Sequence, residues 1–417
     1  LHVVRRRVLG DETFVERLKQ SVHEAHLQLP WREADAPLSR PAFDRYCKER
    51  GIAVPRSLAQ TDPECAAMCS ADPRLNQIVQ AVRQYRKSNV NVGKIQAILD
   101  RTRPDGMMPM DLIFCGARHT RRWVSCGVNV HNLAREAYEL DEDDEENYVW
   151  TRELLIPREG KKFLIADYSQ IEPRCLQWLV GNETLLAAIR GGMNIYEAYA
   201  RFSGQWSDSG PLNKHTAPLL YASMKEQVLG LGYGMGADKY FLTTQKKGLP
   251  FTEAECAKSV KDFRARNRGI VSLWYQMDDV IKRAACKDHE LSVELPTGEP
   301  LRYFEVKATQ DRSYQGINTR GVRHGNSLQK SLWGGTLTEN VVQRMARDVL
   351  GDAILRLEKA GLPVMFHAHD EVILEVDENV DEREARREVE AIMGREPVWA
   401  RGLPLGVEAQ FATHYLK

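Results

Sequence analysis

Phe163-Leu164-Ile165-Ala166-Asp167-Tyr168-Ser169-Gln170-Ile171-Glu172-Pro173-Arg174 joins an apolar run to a charged one. The four apolar residues predict a short buried strand that ends in Asp167, and a helical pattern follows from about Glu172 to Ile189. Far downstream, Pro363–His367 and Val372–Val376 alternate as two strands around His369-Asp370-Glu371. With these strands as neighbours in one sheet, Asp167 and Asp370 converge on one edge. Two carboxylates brought together repel unless cations lie between them. Hard divalent ions such as Mg²⁺ take oxygen ligands and keep positions free for phosphate oxygens. Taken singly, each Asp reads more simply as a helix cap or an exposed hairpin residue.

Outward from this pair the chain is mixed. Phe14, Leu18, Val22 and Leu27 recur at helical spacing, as do Leu75, Ile78, Val79, Val82 and Tyr85, so the first ~110 residues read as helical. A basic, polar stretch from Gln84 to Lys94 precedes a short helix around Ile95–Leu99, and Asp105-Gly106 marks a turn. Helices are expected over about 218–240, over about 253–287 as two segments, and over about 336–359, where Gly361 and Pro363 stop the last. A closing helix (382–393) and a strand (404–411) complete an α+β chain with a mostly helical insertion between about 176 and 312.

The 417 residues carry 58 Lys plus Arg against 58 Asp plus Glu, with 43% hydrophobic and 28% charged residues. That balance excludes dominant disorder, collagen-like repeats and a disulfide-stapled miniprotein. No apolar run is long enough to span a membrane, which argues against a membrane partner. The neutral total hides segregation. Residues 1–135 hold 22 basic against 14 acidic side chains, residues 136–159 hold ten acids against two Arg, and residues 211–330 hold 19 basic against 13 acidic. Two basic lobes can grip a polyanion through local potential. The eight cysteines are scattered without zinc spacing and read as reduced thiols of a cytosolic protein. Leu1 in place of Met suggests a piece excised from something longer.

Five motifs in order, the first in two parts, complete the pattern. His119-Thr120-Arg121-Arg122-Trp123 is followed by Asn129-Val130-His131-Asn132-Leu133, then by the Asp167–Arg174 stretch. Lys225, Leu229, Tyr233 and Gly234 come next, then Gly334-Gly335-Thr336-Leu337-Thr338-Glu339-Asn340, and finally His369-Asp370-Glu371. Together these resemble the motifs of family A DNA polymerases, the bacterial DNA polymerase I group, in the variant of its phage-type branch. The resemblance implies a right-hand fold with an antiparallel palm sheet and mostly helical fingers and thumb. It sets a thumb-like region at 1–115, palm at 116–175 and 313–417, and fingers at 176–312. It implies template-directed addition of deoxynucleotides to a primer 3′ end by a two-metal-ion mechanism, without a proofreading exonuclease in this chain.

Residue by residue, the resemblance makes Asp167 and Asp370 the ligands of two Mg²⁺, with Mn²⁺ as a substitute, and Glu371 a weaker catalytic acid. Lys225 neutralises the triphosphate, and Tyr233 meets sugar and base. Spacing agrees, because residues four apart share one helix face. Glu172 falls at the family's 2′ gate, held by Tyr233, with Pro173 tolerated in a first helical turn. Arg122, Asn129, His131, Asn132, Arg174 and His369 fall at primer–template contacts. Four positions depart from the family: Tyr221 for a triphosphate-gripping Arg, Leu229 for an aromatic, His131 for a Gln, and Arg121 for a Gly, where positive φ would strain the backbone. Two rivals are a single-subunit RNA polymerase, which Glu172 opposes, and a catalytically silent nucleic-acid-binding protein. Expected partners are primer–template DNA and deoxynucleoside triphosphates. A processivity factor, helicase or primase is left unassigned. The expected location is the cytoplasm, that of a bacterial host if the source is viral.

Overall fold

Lys161–Tyr168 lies inside a four-stranded antiparallel sheet ordered Val364–Ala368, Glu371–Asp377, Lys161–Tyr168, Val407–Ala412. A computed structural model describes residues 2–3, 12–59, 62–133, 138–139, 148–149, 151–288, 290–310, 319–323 and 332–416. The acidic run from Asp141 to Glu146 and the 312/313 boundary fall outside these residues. Register pairs Leu164 with Leu374 and Ile165 with Ile373. Leu164, Ala166, Tyr168, Val372 and Leu374 pack into the larger core with the helices. Phe163, Ile165, Phe366 and Ile373 pack on the other face with Ile95, Ile98 and Tyr415. A strand covered on both faces has no polar side to show, so it reads as a continuous apolar run.

The helix Gly334–Lys359 backs the sheet, burying Leu337, Val341, Met345, Val349, Leu350, Ala353 and Leu357. Tyr168 ties the sheet to the closing helix Glu382–Gly394 through a 2.9 Å hydrogen bond from its hydroxyl to the Met393 carbonyl.

Three expected helices differ from the observed ones. The 172–189 pattern is two helices, Ile171–Leu179 and Glu183–Arg190, broken where Gly181 takes φ +65° and Asn182 caps the second. The 218–240 pattern is the α-helix Pro218–Gly230, a 3₁₀ turn Leu231–Tyr233 and the helix Ala237–Lys246, separated by Gly234 at φ +81°. Conversely, the break expected near Lys94 is absent: Pro73–Arg101 is one helix. Its apolar stripe continues through buried Ser88 and Asn91 to Ile95 and Ile98. Ser21, on the neighbouring helix Glu12–Leu27, accepts from Gln84 Nε2 at 2.8 Å and sits 3.2 Å from the Ser88 hydroxyl, so polar positions complete that interface.

Elements that were not anticipated include two hairpins and one helix. Asp111–Ile113 pairs with Val124–Cys126, Glu290–Val293 pairs with Leu301–Phe304, and the helix Ile195–Phe202 follows an Asn194 cap. Short strands with few alternations leave little periodic signal. All eight cysteines are free, and among the described residues no helix is long and apolar enough to cross a membrane.

Candidate active site

Asp167 pairs across the ladder with Glu371 on one side and Glu408 on the other. Asp370 is next to that row: it forms, with His369, the two-residue turn between Ala368 and Glu371, and its carbonyl accepts the Tyr168 amide at 3.0 Å. His369 takes φ +55°, the left-handed conformation a tight hairpin demands. Both Asp residues are half-buried. Thus the sheet brings Asp167 and Asp370 to one edge.

Among the described residues, no three His, Cys, Asp or Glu side chains form a ready-made metal cage. Two carboxylates without a cage suit a cation that completes its shell from water and phosphate oxygens. Mg²⁺ behaves in that way, so the donor set fits it.

Glu371 occupies a different environment. It is 2% exposed, accepts from the Tyr415 hydroxyl, and lies 3.6 Å from Arg152 Nη1, whose guanidinium stacks 4.5 Å from the Tyr415 ring. This is a buried, partnered carboxylate that braces the Glu371–Asp377 strand. Glu408, by contrast, was missed. It is exposed, accepts from Ser169 Oγ at 2.7 Å, and shares the Asp167 face. Only register places it there, because nothing local distinguishes an exposed strand Glu.

The helix Pro218–Gly230 carries exposed Lys225, half-buried Leu229 and half-buried Tyr221. Tyr221 packs edge-on against Tyr196, and burial together with the nearby Glu408 charge pushes its phenol up. Tyr233 follows in the 3₁₀ turn, so the helix face from Lys225 continues to it with a changed twist. Its hydroxyl is buried and has no hydrogen-bond partner among the described residues. Burial, then the charges of Glu172 and Glu339, raise its pKa far above the ordinary phenol value.

Glu172 does not take Tyr233 as its partner. Its carboxylate is bound by the Arg122 guanidinium, which corrects the expected Tyr233 contact. An arginine fork satisfies a carboxylate better than one phenol can. Glu339 is the other acid here, its pKa raised by burial and then by the Glu172 charge.

His131, Asn132 and His369 cluster beside the hairpin: His131 Nε2 lies 3.1 Å from the His367 carbonyl, and His369 Nε2 lies 3.0 Å from the His131 carbonyl. Asn132 is exposed, its carbonyl taking Lys94 Nζ at 3.0 Å, and Asn129 is exposed beside it. Arg174 departs from the expected DNA contact. It is buried, donating from Nη1 to the Pro404 carbonyl at 3.0 Å, and it fastens the C-terminal segment. Arg121 does take φ +55°, the strained conformation expected where a side chain replaces glycine.

His367 is 6% exposed, and burial, then the His131, Arg347 and His369 charges, lower its pKa from 6.5 to about 4. A histidine held neutral in the fold favours unfolding as acid rises, because the unfolded chain binds the proton first. Stability should therefore be intact above pH 6.5 and decline as pH falls toward 4, by about 2 kcal/mol at pH 5. Melting temperature against pH, beside His367→Gln, checks this. A slope unchanged in the variant would remove His367 as the cause.

A sequence model described as DNA polymerase family A matches residues 61–417. The chain is 29% identical to a DNA polymerase of Bacillus phage SP02, over 91% of this chain and 63% of that protein. It is 24% identical to the thermostable DNA polymerase I of Thermus aquaticus, over 64% of this chain and 28% of that one. This chain thus spans less than two-thirds of those relatives. The POL domain of Pol1 from M. smegmatis, in complex with DNA primer-template and dNTP, superposes with a TM-score of 0.67 at 17% identity, covering 97% of this chain and 66% of that one. That neighbour shares the right-hand fold. Since the matched span takes in every segment that builds the carboxylate edge and the Lys225 helix, the chain belongs to DNA polymerase family A.

Proposed function

We propose that this chain is a DNA-dependent DNA polymerase that extends a primer 3′ end with deoxynucleotides. The observation that carries the reading is the meeting of Asp167 and Asp370 at one sheet edge. The primer 3′-hydroxyl attacks the α-phosphorus of the incoming nucleotide. The new phosphodiester forms as the bond to pyrophosphate breaks, and the hydroxyl proton is released.

Asp167 and Asp370 would hold divalent cations, which when bound stabilise charge on the attacking and leaving oxygens. Lys225, exposed on its helix, neutralises the triphosphate as a compact point charge. The Tyr233 hydroxyl, without a hydrogen-bond partner among the described residues, and the Arg122-bound Glu172 border the sugar. Fixed by Arg122, Glu172 fills the 2′ position and excludes a ribose hydroxyl. Glu371 positions the strand through Arg152 and Tyr415. Arg122, Asn129, His131, Asn132 and His369 face the primer–template end, where minor-groove acceptors occur on every base pair. Rate comes from positioning and charge stabilisation. In this reading the thumb-like region is 1–115, the palm 116–175 with 313–417, and the fingers 176–312.

The test is extension of a labelled primer on a DNA template in Mg²⁺, with deoxynucleotides and with ribonucleotides. Wild type should use the former alone, and Glu172→Ala should raise ribonucleotide use about 10²-fold. Equal use of both by wild type would favour the RNA polymerase reading. DNA binding without any extension would favour a silent binding protein.

A further inference from the structure

A cleft of about 550 Å³ opens between the 111–126 hairpin, the 290–304 hairpin and the middle of the Gly334–Lys359 helix. Four arginines line it, Arg121, Arg302, Arg344 and Arg347, against two acids, Glu299 and Asp348. Asp348 serves two of them at once: Arg344 Nε lies 2.8 Å from it and Arg347 Nη1 2.7 Å. Among the described residues, Arg121 and Arg302 form no ion pair. The cleft is therefore cationic after its internal pairs are counted.

Arg347 is built into the wall. It is 8% exposed, its Nε is buried without a partner among the described residues, and its guanidinium lies 4.5 Å from the Phe114 ring and 4.3 Å from the Trp123 ring. Phe114 nonetheless stays 69% exposed at the mouth. An exposed aromatic face over fixed guanidinium groups is the chemistry that holds single-stranded nucleic acid: a base stacks while phosphates meet arginines. A small anion would leave the Phe114 face unused.

The cleft also adjoins the candidate active site. Arg121 lines it while the next residue, Arg122, binds Glu172. Behind Arg347, Trp123 meets the His367 ring at 4.5 Å, and His367 lies 5.9 Å from His131.

We propose that this arginine–phenylalanine cleft binds an unpaired stretch of the template strand outside the active site. The inference rests on the polymerase reading, but its test needs no turnover. Fluorescence anisotropy would compare a primer–template bearing a long 5′ template overhang with a blunt duplex of the same paired sequence. Arg302→Glu should weaken overhang binding about tenfold or more near 0.1 M salt and flatten the salt dependence by about one to two ions. Phe114→Ala should weaken it about tenfold without changing the salt slope. Blunt-duplex binding should stay within about twofold in both, and Arg302→Lys should recover most of the loss. Equal losses on blunt and overhang DNA would overturn the proposal in favour of a duplex contact. Unchanged overhang binding with weakened dNTP binding would overturn it in favour of a small-anion site. An Arg302→Lys variant as weak as Arg302→Glu would show that charge is not the cause. Absence of extension by wild type would count against catalysis and leave the binding comparison standing.

Discussion

Asp370→Asn should lower primer extension by about 10³-fold or more while primer–template affinity stays within about threefold of wild type. Asn keeps the size and one oxygen of Asp but removes the charge that a divalent cation needs. The turn itself should persist, since it is held by backbone: the Asp370 carbonyl accepts the Tyr168 amide at 3.0 Å, and Ala368 pairs with Glu371. A thousandfold loss corresponds to about 4 kcal/mol of transition-state stabilisation, within the range of a metal acting on a phosphoryl oxygen. Asp167→Ala should behave alike, because it faces the same edge. Rapid-quench extension and equilibrium DNA binding measure the two arms. A parallel collapse of DNA binding would count against a metal-holding role and for a structural one.

Gly334→Ala should cost about 3 kcal/mol of stability and impair nucleotide use together. A Cβ at 334 would fall 1.8 Å from the Trp274 carbonyl oxygen, and one at 335 would fall 2.3 Å from the Tyr233 carbonyl oxygen. Neither neighbour is a flexible side-chain end, so the backbone itself must move. The start of the Gly334–Lys359 helix would then part from Trp274, whose Nε1 donates to the Gly232 carbonyl at 3.0 Å beside Tyr233, raising KM for the incoming nucleotide. Thermal unfolding and steady-state kinetics on the same preparation check both. Unchanged melting with unchanged KM would show that the two backbones are not in such close approach.

Much of the candidate site's placement was legible because its residues sit in strong local patterns. The strand bearing Asp167, the hairpin bearing Asp370 and the helix bearing Lys225 each announce themselves through apolar runs, turn residues and helical spacing. Helix boundaries were less legible where one glycine decides: Gly181 and Gly234, both at positive φ, divide patterns that periodicity alone would carry through. Polar positions misled in the other sense, since Ser88 and Asn91 continue a buried stripe that composition reads as exposed.

What the sequence determined by itself is the α+β order of elements, the carboxylate pair and the family, because these depend on residue type and spacing along the chain. What tertiary structure alone decided is which charges meet. Arg122 takes Glu172 from fifty residues away. Arg152 and Tyr415 take Glu371 out of solvent, strand register sets Glu408 beside Asp167, and burial turns Arg174 into a fastener. Four arginines from three separate elements gather in one cleft. Partner choice among charged side chains depends on distance and desolvation in three dimensions, and neither is written in the spacing of a chain.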